Sequence, residues 1–155
     1  MRILAAVLLL TIAASAQHSM HDHDVKQHGA EAMGFDQDKT THHFVLTRDG
    51  GYVQATANDA KDDRSINQIR SHLQEQQKKF AAGDFAAPEH THSQVPPGVP
   101  TMQRLKFAIQ YRFESIDRGA RLRISSRDPK AVAAIHDFLR FQISDHHTGD
   151  PTRVQ

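Results

Sequence analysis

The strictest constraint in this chain is an alternation. Phe107, Ile109, Tyr111 and Phe113 alternate with Ala108, Gln110, Arg112 and Glu114. Side chains of a strand point to opposite faces in turn, so this segment suits a strand with one covered and one wet face. Asp117-Arg118-Gly119 can reverse the chain, and a return strand follows with Leu122 and Ile124 inward and Arg121 and Arg123 outward. An antiparallel hairpin with a single apolar face needs helices to cover that face.

The helices are legible on both sides of the hairpin. Asp128-Pro129 opens one, with Asp128 as cap and Pro129 in the first turn. Ala131, Ile135, Phe138, Leu139 and Ile143 form its apolar side, and it runs to about Ser144 or His147 before Thr148-Gly149-Asp150-Pro151. Upstream, Ile66, Ile69, Leu73 and Phe80 recur at helical spacing over residues 65–82, with Gln76 and Gln77 as the weak point of the stripe. Before that helix, HHFVLT and YVQATA flank the turn RDGG, a second hairpin with Phe44 and Leu46 on one side.

The order is hairpin, helix, long loop, hairpin, helix. Ile69-Arg70-Ser71-His72-Leu73 and Ile135-His136-Asp137-Phe138-Leu139 occupy similar places in the two halves. The expected fold is α+β: a four-stranded antiparallel sheet covered on one face by two helices, built from a repeated ββα unit. Between the halves, residues 88–100 (PEHTHSQVPPGVP) read as a proline-restricted loop, with a short turn of helix around Met102 and Leu105.

Residues 1–16, MRILAAVLLLTIAASA, read as an export signal: a positive start at Arg2, an apolar centre, and small residues at Ala14-Ser15-Ala16. Cleavage after Ala16 leaves about 139 residues, enough for one modest domain. Residues 17–39 read as a flexible arm rich in His and Met, and 40–150 as a single domain. The location implied is periplasmic or secreted, with no membrane segment after cleavage. Loss of Arg2 brings the formal charge of +1 to about zero, which argues against nucleic acid as a partner.

Twelve histidines and no cysteine exclude thiolate ligation and cysteine catalysis and turn attention to imidazole. In the arm, His18, His21, His23 and Met33 are candidate ligands. His42 and His43 open the first strand and point to opposite faces, His42 sharing the side of Phe44. His90 and His92 flank Thr91, and in an extended loop both side chains face the same way and converge on one ion. His146 and His147 end the second helix, where adjacent positions diverge and one of the two would serve.

These residues point to an extracytoplasmic metal-binding protein for copper storage, delivery or detoxification. Copper is preferred to zinc because Met20, Met33 and Met102 lie near histidines. Two other readings stand beside it. One is a zinc- or copper-dependent hydrolase or redox enzyme, with Glu89 as a base near an open coordination position. The other is a non-enzymatic protein-interaction domain offering Arg112, Arg121 and Arg123 to an acidic partner, or a homodimer. No HExxH, GxSxG, Walker or dinucleotide motif is present, and without cysteine there is no CxxCH haem attachment.

Four stretches also carry a resemblance: MGFDQDKTTHHF (33–44), DGG (49–51), PPGVP (96–100), and FLRFQI with HHTGD near the end. They resemble those of a poorly characterised group of small secreted bacterial proteins, over residues 29–151. The resemblance implies a domain that begins near Met33, and it transfers no activity.

Overall fold

The computed structural model describes residues 33–155. The export signal and most of the arm, including His18, His21 and His23, lie outside the described residues. Two hairpins make one antiparallel sheet. Strand β1 (Thr40–Thr47) pairs with β2 (Gly50–Ala57), and β3 (Ile109–Ile116) with β4 (Gly119–Ser126). The hairpins join through β2 and β4, so the strand order is β1-β2-β4-β3 and the first strand of each hairpin lies at an edge.

Helices α1 (Asp63–Ala82) and α4 (Pro129–Asp145) follow the two hairpins and cover one face, α1 over β3 and β4, α4 over β1 and β2. The expected fold, with its repeated ββα unit, is the one adopted. Each helix begins where local chemistry requires. The Asp62 carboxylate accepts from the Ser65 N–H, and Asp128 accepts from Lys130 N–H and Ala131 N–H ahead of Pro129. Gly83 ends α1 with φ +86°, the left-handed turn that glycine adopts most readily.

The core lies between sheet and helices. Phe44, Leu46, Leu122 and Ile124 rise from the sheet to meet Ile69, Leu73, Ile135 and Leu139, all buried. Phe80, Phe85 and Phe138 close one end as a ring cluster with centroids 4.5–6.2 Å apart. Residues 33–39 join this body: Phe35 is buried and Gln37–Lys39 forms a single 3-10 turn capped by Asp36.

Two expectations are corrected. Residues 88–100 are not one loop: α2 (Ala86–His92) and α3 (Val99–Arg104) occupy most of the connection. Pro88 is tolerated because it stands in the first turn of α2, where its missing N–H has no intrahelical partner to lose. The strand read from Phe107 begins at Ile109 instead. Lys106–Ala108 is a 3-10 turn, and Phe107 is 95 % exposed. Alternation alone does not distinguish a strand from the turn that leads into it.

Candidate functional site

A cavity of about 80 Å³ opens between the two long helices near the β1 side of the sheet. His72 and Gln76 of α1 face His92 of α2 and Gln142 of α4 across it. His42 and Phe44 of β1 form its floor, and Met33, Phe35 and His146 border it. Strand parity puts His42 on the covered face with Phe44, as expected. His146 enters because it caps α4, directly after the last helical turn.

The imidazoles are packed among rings. His146 stacks on Phe44 with centroids 5.5 Å apart and on His42 at 6.4 Å. Phe35 stacks on His42 at 5.7 Å and meets His72 edge-on at 5.6 Å. Burial is the main force on their titration. It pushes His42 down to about 4, with help from the neighbouring His72 and His43. His72 is pushed down to about 4 by burial, with Glu75 opposing. His146 falls to about 3 by burial and by the proximity of His92 and His42. At neutral pH these three rings are uncharged.

His92 is held at both ring nitrogens: Nδ1 lies 2.5 Å from Asp145 Oδ2 and Nε2 lies 3.0 Å from Gln142 Oε1. The ring stands edge-on to Phe141 and to His146, with centroids 4.9 and 5.0 Å away. Asp145 and Gln142 sit three residues apart on α4, which brings both to one face of the helix. With a protein oxygen set against each ring nitrogen, His92 has no open position for a metal ion.

That arrangement corrects the copper and zinc reading. Among the described residues no group of three or more His, Cys, Asp or Glu side chains could hold a metal ion. His90 and His92 do not converge, because they lie on a helix rather than in an extended loop. Two residues along a helix are about 200° apart, so His92 points inward while His90 is exposed. His43 is on the opposite sheet face from His42, with Nδ1 2.8 Å from Asp150 Oδ1. His147 is exposed and has a left-handed backbone, φ +50°, unlike the half-buried His146. Met33 borders the cavity among rings, not among ligating nitrogens. His42, His92 and His146 do come together, but as ring-packed and hydrogen-bonded groups. The zinc- or copper-enzyme reading loses its centre for the same reason, and a metal ion is not a supported partner.

Two polar atoms in this region have no hydrogen-bond partner: Gln76 Oε1 and Gln142 Nε2. Gln76 is 5 % exposed and Gln142 4 % exposed, and both line the cavity. An orphan acceptor and an orphan donor in such surroundings each cost free energy, by about 1–3 kcal/mol. Counting from Ile69 in α1 and Ile135 in α4, the two glutamines stand at the same place in the repeat. Each interrupts an apolar stripe where a leucine would pack. Only the first of these, Gln76, reads from the sequence as a weak point of its stripe.

The outer sheet face is internally satisfied. Arg121 donates to Gln54 Oε1 at 2.8 Å and lies over the Tyr52 ring at 4.1 Å. Arg123 pairs with Asp49 and Arg112 with Glu114, each at 2.7 Å. Comparison of the chain with family models, with curated proteins and with solved structures returned no match. No helix among the described residues is long and apolar enough to cross a membrane.

Proposed function

We propose that this chain is a non-enzymatic binding domain that takes a small, neutral, partly apolar molecule into the cavity between α1 and α4. The observation that carries the reading is the pair of orphan amide atoms, Gln76 Oε1 and Gln142 Nε2, on two residues that line a cavity walled mostly by rings and aliphatic groups. A ligand head that both donates and accepts would satisfy both atoms, and a primary carboxamide is the simplest such group. The uncharged His42, His72 and His146 offer no fixed charge to retain an ion, and burial penalises a charged guest.

Size limits the guest. A cavity of about 80 Å³ is smaller than the roughly 150 Å³ engineered cavity that admits benzene, so a molecule of a few heavy atoms fits. The same reading places the protein outside the cytoplasm, periplasmic or secreted, on the strength of the signal-like residues 1–16. Titration of the protein with propionamide, followed by side-chain and backbone NMR shifts, tests the binding. Saturable shifts at Gln76, Gln142 and His146 with an affinity of about millimolar are expected, with none from propionate. Equal responses to both, or to neither, overturn the reading.

A further inference from the structure

The two edges of the sheet are treated differently. Along β1, the Asp150 carboxylate accepts from Phe44 N–H at 3.0 Å, and Gln155 N–H donates to Leu46 C=O at 3.0 Å. Residues 150–155 therefore cover that edge, and Arg140 fastens them by donating to Thr152 C=O. On β3 the ladder to β4 uses the alternate backbone groups, so those of Tyr111, Phe113 and Ser115 point away from the sheet. Gln77 reaches round to Tyr111 C=O at 3.1 Å, and Arg70 reaches the hairpin end at Ile116 C=O. Between these two props no side chain of the described residues hydrogen-bonds to the Phe113 N–H or C=O. An open edge strand is a template for another strand.

The sequence of this edge complements itself. Place a twofold axis at Phe113, so that Phe113 N–H and C=O exchange hydrogen bonds with Phe113 of the partner subunit. Antiparallel register then sets Arg112 opposite Glu114 of the partner subunit, and Glu114 opposite Arg112 of the partner subunit. Directly opposed unlike charges on one sheet face attract. Arg112 and Glu114 already share that outer face, 2.7 Å apart. In this register Tyr111 C=O meets the N–H of Ser115 of the partner subunit as a second donor beside Gln77. The same twofold brings Phe107, the most exposed large apolar residue described, against the β3–β4 turn of the second copy. We infer that a second copy of this chain docks on β3, giving a continuous eight-stranded antiparallel sheet with α1 and α4 of both copies on one side.

The test is sedimentation velocity of the full chain over a concentration series, with charge-reversed variants. R112E puts glutamate opposite Glu114 of the partner subunit, and E114R puts arginine opposite Arg112 of the partner subunit. Each alone should weaken dimerisation on the order of tenfold or more. An equimolar mixture of R112E and E114R restores both attractive pairs, so the mixture should dimerise when neither variant does. The double swap R112E/E114R should also dimerise, and it serves if one single variant folds poorly. A wild-type chain that stays monomeric throughout the series overturns the proposal. So does a dimer indifferent to R112E, or a mixture no more associated than its components.

Discussion

His43 Nδ1 lies 2.8 Å from Asp150 Oδ1, across 107 residues of chain. Because the other partner is a carboxylate, the ring donates through Nδ1–H. The second oxygen of Asp150 accepts from Phe44 N–H at 3.0 Å and from the Thr148 hydroxyl at 2.7 Å. Burial alone would raise the Asp150 carboxyl, but these three donors outweigh it and hold it below the usual range. One carboxylate thus ties the start of β1 to the chain that leaves α4. Asp150→Ala should cost about 1–3 kcal/mol of stability. Amide hydrogen exchange at Phe44 should quicken markedly, and Asp150→Asn, which keeps one acceptor oxygen, should show the smaller change. Unaltered protection at Phe44 would refute the tie.

Acid should loosen the site before it unfolds the rest. His42, His72 and His146 titrate in the folded state at about 4, 4 and 3, against 6.5 when unfolded. Between pH 6.5 and 4 the unfolded chain binds protons that the folded chain refuses, so stability falls as pH falls through that window. At pH 5 each ring withdraws about 1–2 kcal/mol relative to neutral pH. Urea midpoints at pH 7.5, 6, 5 and 4 should fall accordingly, and His146→Phe should flatten the profile. A midpoint constant from pH 7 to 4.5 would show that the rings are not held neutral.

The architecture was readable because each element carries its own periodicity. Phe44 and Leu46 alternate, Ile69 and Leu73 recur at helical spacing, and Asp128-Pro129 is a helix start in almost any context. The short helix expected around Met102 is α3; what escaped the sequence was α2 and whatever tertiary packing sets. The His90-Thr91-His92 pair converges only if extended, and the burial of His92 against Asp145 and Gln142 of α4 goes with a helix that separates them. In the sequence His42, His92 and His146 read as metal ligands, but their neighbours pack them among rings and hydrogen bonds instead. Phe35, Phe44 and Phe141 surround the rings, while Asp145 and Gln142 occupy His92. Gln76 was visible as a polar break in an apolar stripe, but Gln142 was not, and nothing local reveals that both line one cavity.

Gly98 joins α3 to the body of the fold. Its φ of +84° is left-handed, and a Cβ there would lie 2.1 Å from the Ala134 carbonyl oxygen of α4. Gly98→Ala combines backbone strain with a backbone clash, neither relieved by a side-chain rotation. It should cost about 2–4 kcal/mol and pull Val99 and Met102, both fully buried, out of register with α4. Urea denaturation gives the loss, and near-ultraviolet circular dichroism should report loosened aromatic packing. A variant as stable as the parent would mean that the α3–α4 approach is not as close as 2.1 Å.

Gln76 provides the sharpest separation of stability from binding. Its Oε1 is buried without a partner, beneath the cavity shared with Gln142. If the residue served only packing, a leucine would do better at this position of the Ile69, Leu73, Phe80 stripe. Gln76→Leu should therefore raise stability by about 1–2 kcal/mol. The same substitution removes the acceptor for a bound carboxamide, so the propionamide response should weaken by about tenfold, or 1.4 kcal/mol. Gln142 is a poorer subject, because replacing it also strips His92 Nε2 of its partner. A Gln76→Leu protein that is more stable and still binds propionamide as before would reduce Gln76 to a packing imperfection. One that is less stable would show that Oε1 has a partner in solution.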